Sequence, residues 1–246
     1  MTRNVHPVHA PMLAVVALAP DDDADWAGLV GDVGKVLGLE PATEVLLDGA
    51  ARGRTVERLL IRAARTGGPV LVLPATARGR RSAPAVAAHQ PRADGGLASM
   101  HRVLIASDAS DEVAAGARSL LATLADAGVH ATILHVLTAE NRPRMWEGSG
   151  HHAAVWLDEV RRRHGATADV MRVVTGEPGD ELRAHSACAD LVVLLWRGEL
   201  APGRAAMVRS VLGSGIEIPH LLVPLEWVVT PGPVPGPERR RRGGDR

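Results

Sequence analysis

Apolar residues fall along this chain in two kinds of run. The first kind is short and continuous: Met12 to Ala19, Pro69 to Pro74 (PVLVLP), Val103 to Ala106, Ala131 to Leu137, Leu191 to Trp196 and Leu221 to Leu225. Continuous rather than alternating apolarity predicts strands buried on both faces. The second kind repeats every three to four residues and predicts helices. It comprises Trp26, Leu29, Val30, Val33 and Leu37; Val56, Leu59, Leu60 and Ala63; Val113, Ala117, Leu120, Leu121 and Leu124; and Ala153, Trp156, Leu157 and Val160. Weaker signals predict strands at Glu44 to Leu47 and Val170 to Val174. Short helices are expected at Asp180 to Ser186 and Ala205 to Leu212. Gly38, Gly67-Gly68 and Gly128 follow the periodic stretches, where helices stop.

Strands that alternate with helices pair in parallel, because each crossover returns the chain to the same edge. Residues 100–228 therefore predict an α/β domain, a doubly wound five-stranded parallel sheet. Residues 1–75 predict a smaller βαβαβ unit. Residues 76–99, with Gly79, Pro84, Pro91, Gly95 and Gly96, have linker composition. Residues 229–246 hold Pro231, Pro233, Pro235, Pro237 and Arg239 to Arg242, a tail expected to be disordered. Strand, acidic turn and helix at 12–37 echo 102–127, so the N-terminal unit reads as a shortened, degenerate copy of the second. It is expected to pack on that second unit as an internal pseudo-dimer. Ligands of such sheets sit at the carboxyl ends of the strands, where strand order reverses. That directs attention to the turns after Ile105, Leu137 and Trp196.

Composition narrows the function classes. The chain has 246 residues, 46% of them hydrophobic, with no Phe, no Tyr and five Trp. Its core must be made of Val, Leu, Ile and Ala. Basic and acidic residues number 28 each, without the positive excess that a general nucleic-acid binder needs. Cys188 is the only cysteine, so no internal disulfide forms. No apolar run approaches the roughly 20 residues of a membrane span, and Met1 to Pro11 does not resemble a signal peptide. The protein is expected to be cytoplasmic, with neither membrane nor nucleic acid as partner.

Candidate chemistry is sparse. Asp21, Asp22 and Asp23 read as acids complementing a helix start. His152 and His164 are about three turns apart on one helix, too far to share a metal ion. His185 and Cys188 are two ligands without a third. No nucleophile-elbow motif is present. The expectation is a non-enzyme. His135, Trp146 and Trp196 flank the predicted cleft and could meet a ligand there.

The order of motifs from residue 101 onward resembles the universal stress protein family. VLIASDAS at 103–110 is similar to that family's first strand and Asp turn, and ILHVL at 133–137 to its second strand. VVTGEPGDEL at 173–182 is similar to its Gly-x-Pro turn and helix, and ADLVVLLWRG at 189–198 to its Asp-Leu-Ile-Val strand. VRSVLGSGIEIPHLLVP at 208–224 resembles its closing helix and strand. WRGELAPGRAAMVRSVL at 196–212 further resembles a variant associated with actinobacteria. The resemblance covers about half the chain. It implies the fold of the HUP or adenine nucleotide alpha hydrolase-like group.

What the resemblance implies about function is a stress-response or regulatory module without catalysis, acting through self-association or partner binding. The family often pairs through its last strand, here His220 to Leu225, which would otherwise be an exposed apolar edge. A homodimer or an internal pseudo-dimer follows. The alternative it implies is an ATP- or AMP-binding switch at Ala106, Asp108, Val136, Gly198, Gly203 and Arg204. Family members that bind ATP carry Gly-x2-Gly-x9-Gly-[Ser/Thr], whose glycines let backbone N–H groups approach phosphate. This chain keeps Gly198 but has Leu195 for the first glycine and Ala205-Ala206 for the last pair. A second register, Gly203 with Gly213-Ser214, leaves too few residues for a helix before Pro219. Gly203-Arg204 ahead of a helix offers a substitute, with Arg204 as a forked donor to phosphate and Arg197 near it.

Overall fold

The computed structural model describes residues 12–17, 26–46, 57–58, 60–61, 63–65, 67–74, 99–143, 150–197, 206–213 and 218–229. Eight strands are described: β1 (Met12–Ala17), β2 (Glu40–Leu46), β3 (Val70–Leu73), β4 (Arg102–Ser107), β5 (His130–Leu137), β6 (Met171–Thr175), β7 (Leu191–Trp196) and β8 (His220–Pro224). The helices are α1 (Ala27–Leu37), α2 (Asp111–Asp126), α3 (Gly150–His164), α4 (Pro178–Ser186), α5 (Ala206–Gly213) and α6 (Leu225–Val229). Residues 57–65 add helical positions that bury Leu60 and Ala63. The expectations for Asp21 to Asp23, the 76–98 linker, Trp146, Gly198 to Ala205, Ser214 and the tail beyond Val229 lie outside the described residues.

All eight strands form one sheet in the order β2-β1-β3-β8-β7-β4-β5-β6. The pairings are parallel except for β3 with β8, which is antiparallel. The α/β, doubly wound, mostly parallel architecture is as the apolar runs predict. The cover that β8 was expected to need comes from within the chain. β8 is not an open edge, because Val70, Leu71 and Val72 pair with Leu222, Leu221 and His220. The apolar strand that would have sought a second copy is satisfied by β3 of its own chain.

Side chains alternate across the sheet, so each strand feeds two cores. Val15, Leu71, Ile105, Ile133, Val193 and Val223 meet α1 and α2 on one face. Val16, Val72, Leu104, Leu134, Val192 and Leu222 meet Leu182 of α4 and Val208 and Val211 of α5 on the other. Both cores run without interruption across the β3–β8 seam. Two polar links reinforce it. Asp32 of α1 accepts the N–H groups of Ser99 at 2.6 Å and Met100 at 3.2 Å, and Arg209 of α5 pairs with Glu57 at 2.8 Å.

Element ends follow local chemistry. Gly38 has φ of 64° and ends α1, and Gly128 with φ of 75° follows α2, a left-handed conformation that glycine adopts without strain. Ser110 caps α2, accepting the N–H of Val113 at 3.4 Å. Pro178 begins α4, two residues earlier than expected, because a first-turn proline lacks only an N–H that needs no partner there. β2 starts four residues early and includes Pro41, which an edge strand tolerates. α6 was not expected: its apolar run LEWVV continues the strand pattern. It bends instead onto α2, where a Cβ on Gly116 would stand 3.0 Å from Leu225 Cδ2.

Candidate functional site

β4 lies between β7 and β5. The chain leaves β4 toward β5 and β6, then returns to the other side as β7. Strand order thus reverses between β4 and β7, and their carboxyl ends flank the crevice where such sheets take ligands. A cleft of about 140 Å³ opens there, lined by Asp108, Val113, Leu195, Trp196, Arg197, Met207 and Val208. It is smaller than the roughly 300–1,000 Å³ of pockets that enclose a whole small molecule.

The Asp108 side of the cleft is a tight turn. Asp108 Oδ1 accepts the N–H of Ser110 at 2.9 Å, and Ala109 stands in the left-handed region with φ of 60°. Its N–H donates to Ser107 Oγ at 3.0 Å. On the opposite side, Arg197 reaches across to Glu112 in the first turn of α2 at 3.0 Å. Arg163 of α3 holds Asp111 at 2.8 Å. Trp196 is 3% exposed, and its indole N–H has no acceptor among the described residues. Leu195 contributes an apolar wall.

Two histidines lie beneath the turn. His135 is buried and donates from Nδ1 to the Ser107 carbonyl oxygen at 2.8 Å. Its ring tilts against Trp156 at a centroid distance of 6.0 Å. Burial lowers its pKa below the usual value, against the opposing effect of that hydrogen bond. It is a core residue, not a lining residue. His164 is buried as well, with Nε2 2.8 Å from Ser107 Oγ and Nδ1 2.8 Å from the Val160 carbonyl oxygen.

Of the residues singled out in the sequence, Asp108, Leu195, Trp196 and Arg197 come together around the cleft. Ala106 and Val136 are buried in the core on the α4–α5 face and do not line it. Gly198, Gly203 and Arg204 lie outside the described residues. Gly213 is the last residue of α5 as described, and Ser214, the other half of the second glycine register, lies outside the described residues. Val113, Met207 and Val208 were missed as lining residues. They read as ordinary helical core positions, and nothing in their spacing distinguishes the crevice end of a helix. His152 is exposed and far from His164 along α3, and no group of three metal-ligating side chains is found among the described residues. Cys188 is exposed, and His185 faces Glu181 at 3.8 Å. No described helix is long and apolar enough to cross a membrane.

No family model matches the chain, and no curated protein does. Among solved structures it is similar to a functionally unknown protein from Pseudomonas aeruginosa PAO1, at 11% identity over 89% of this chain and 95% of that one, TM-score 0.47. It is also similar to a universal stress protein from Archaeoglobus fulgidus DSM 4304, at 12% identity over 85% and 96%, TM-score 0.42. A universal stress protein in complex with cAMP matches at 20% identity over 52% of this chain and 98% of that one, TM-score 0.37.

Proposed function

We propose that this chain is a non-catalytic stress-response or regulatory module of the universal-stress-protein kind, taking an adenine nucleotide at the β4–β7 crevice. The observation that carries this is the meeting of Asp108 and Arg197 around one cleft at the point where strand order reverses. A carboxylate is suited to ribose hydroxyls and a guanidinium to phosphate. Leu195 takes the place of a backbone approach to phosphate, so Arg197 supplies the anion contact instead.

The reading without catalysis is supported by a nucleophile–base contact that the described residues form beneath the turn. Ser107 and His164 are 2.8 Å apart, a spacing suited to proton transfer. Ser107 is only 2% exposed, so no substrate carbonyl or phosphorus atom can approach it.

The N-terminal βαβαβ stretch acts in this proposal as a built-in partner. It occupies the β8 edge that a second copy would otherwise take, leaving β2 and β6 as the outer strands. Regulation then works through partners that meet this joined surface.

The test is thermal unfolding and calorimetry of the purified protein with ATP, AMP and cAMP, the last chosen because it is the ligand of one similar structure. At 100 times its dissociation constant a ligand stabilises the protein by about 2.7 kcal/mol. No shift with any of the three at millimolar concentration removes the nucleotide. Phosphate release from bound ATP above background would remove the non-catalytic part.

A further inference from the structure

The Asp108 turn is tied to the end of α3 by buried hydrogen bonds that the cleft itself does not need. His164 is the last residue of α3 and is 0% exposed. Its Nδ1 faces the Val160 carbonyl oxygen at 2.8 Å. A carbonyl only accepts, so Nδ1 carries the ring proton. Burial holds the imidazole pKa below the usual value, ahead of the opposing hydrogen bond to Val160. The neutral ring's Nε2 is then an acceptor, and the Ser107 hydroxyl 2.8 Å away donates to it.

With its proton committed to His164, Ser107 Oγ accepts the N–H of Ala109 at 3.0 Å. Ala109 is the described non-glycine residue with positive φ. A left-handed alanine is strained and persists only where its surroundings over-determine it. Its neighbours are Asp108, which lines the cleft, and Ser110, which caps α2. The adjacent Arg163 adds contacts of 3.5 Å to the Ala109 carbonyl oxygen and 2.8 Å to Asp111.

A second proton on His164 would turn Nε2 into a donor. Ser107 Oγ would then accept from both His164 and Ala109, leaving its own hydroxyl proton without an acceptor in a buried place. That is costly, and opening the turn, which lets the Ser107 hydroxyl and the Ala109 N–H reach water, relieves it. The charged and titratable groups facing His164 are Asp108 in the turn, which favours that proton, and Arg163 on α3 and Arg118 on α2, which oppose it. His135 on β5 is the other nearby imidazole and is also opposed to it.

We propose that His164 is a positioning residue that holds the Asp108 turn in its present form through Ser107 and Ala109, and releases it on protonation. Resting on the crevice as a nucleotide site, this makes nucleotide affinity fall as the solution becomes acidic.

The test reads the turn directly. Hydrogen-exchange protection factors of Ala109 and Ser110 are measured by NMR at pH 7.5 and 5, with Ile105 and Ile133 as reporters of global unfolding. In the wild type, Ala109 and Ser110 should lose protection at least tenfold at pH 5 while Ile133 stays protected. His164→Gln keeps an acceptor for Ser107 without titrating, so its turn should keep the same protection at both values. His164→Ala should be unprotected at both. A wild-type turn indifferent to pH, or a His164→Gln profile identical to wild type, overturns the proposal, and the glutamine variant decides if the alanine variant does not fold. AMP binding, titrated in parallel, should weaken about tenfold at pH 5 in the wild type and stay level in His164→Gln. If AMP, ATP and cAMP all fail to bind at pH 7.5 while the turn behaves as described, the nucleotide site is wrong and His164's hold on the turn stands.

Discussion

His220 of β8 stands in register with Val72 of β3 across the antiparallel seam, and with Val192 of β7 on its other side. A histidine thus sits in mid-sheet among apolar strands, 5% exposed, its Nδ1 donating to the Ile218 carbonyl oxygen at 2.7 Å. Burial pushes its pKa down to about 4 from the usual 6.5. The unfolded chain therefore binds this proton more readily than the folded one. Its contribution to stability is complete above pH 6.5 and is lost as pH falls from there toward 4. His135 and His164 act in the same direction. Denaturant unfolding at pH 7.5 and at pH 4.5 should differ by on the order of 3 kcal/mol from His220. His220→Asn, which keeps a donor for Ile218, should flatten that part of the slope. An unchanged slope would assign the acid sensitivity elsewhere.

The seam also predicts how the halves behave apart. Every residue of β8 is buried, and cutting the chain within 75–98 removes the strand that covers one of its edges. A fragment of residues 99–229 should self-associate through β8. Sedimentation showing that fragment as a strict monomer at high concentration would count against β3 as the cover of that edge.

Asp32 accepts two backbone N–H groups, of Ser99 and Met100, 67 and 68 positions away. Hydrogen bonds to a charged group contribute about 1.5–3 kcal/mol each when buried and less when part-exposed. Asp32→Ala should destabilise the whole chain by about 1–2 kcal/mol, with Asp32→Asn intermediate. Chemical denaturation measures both, and a neutral alanine variant would mean that the link is idle.

Glu112 and Arg197 close part of the cleft as a half-exposed ion pair. Such pairs contribute about 0–1 kcal/mol, so Glu112→Gln should leave stability nearly unchanged. It removes a negative charge that competes with phosphate for Arg197, so nucleotide affinity should rise about threefold, and Arg197→Ala should lower it at least as much. Calorimetry at two salt concentrations checks both, with the larger effect at low salt.

Gly34 lies inside α1, where alanine would ordinarily gain about 1 kcal/mol of helix stability. A Cβ there would stand 2.8 Å from the Leu39 carbonyl oxygen, at the tight turn by which Leu39 N–H reaches Gly34 O. Gly34→Ala should lower the melting temperature. Gly31→Ala, whose Cβ meets nothing within 4 Å, should raise it.

The strands and helices from Arg102 to Trp196 were legible because apolar runs and 3.6-residue spacing are local properties, set by which faces each element must bury. The parallel sense of β4 to β8 followed from the crossovers alone. The meeting of Asp108 with Trp196 and Arg197 also followed, since a reversal of strand order places both at one rim. The limit came where partners are distant in sequence. Val70 to Leu73 reads as a buried strand, but nothing in it says that Leu222 is its antiparallel neighbour, because register is chosen by the fit of two faces and not by either one. LEWVV reads as more strand, and only Gly116 across from it makes room for a helix.

The amino-acid order by itself determined the α/β class and the doubly wound sheet, since patterns of burial depend on nearest neighbours along the chain. Tertiary structure alone decided that β3 closes the β8 edge and that His164 reaches Ser107 from 57 positions away. Those contacts come from surfaces that only folding brings face to face.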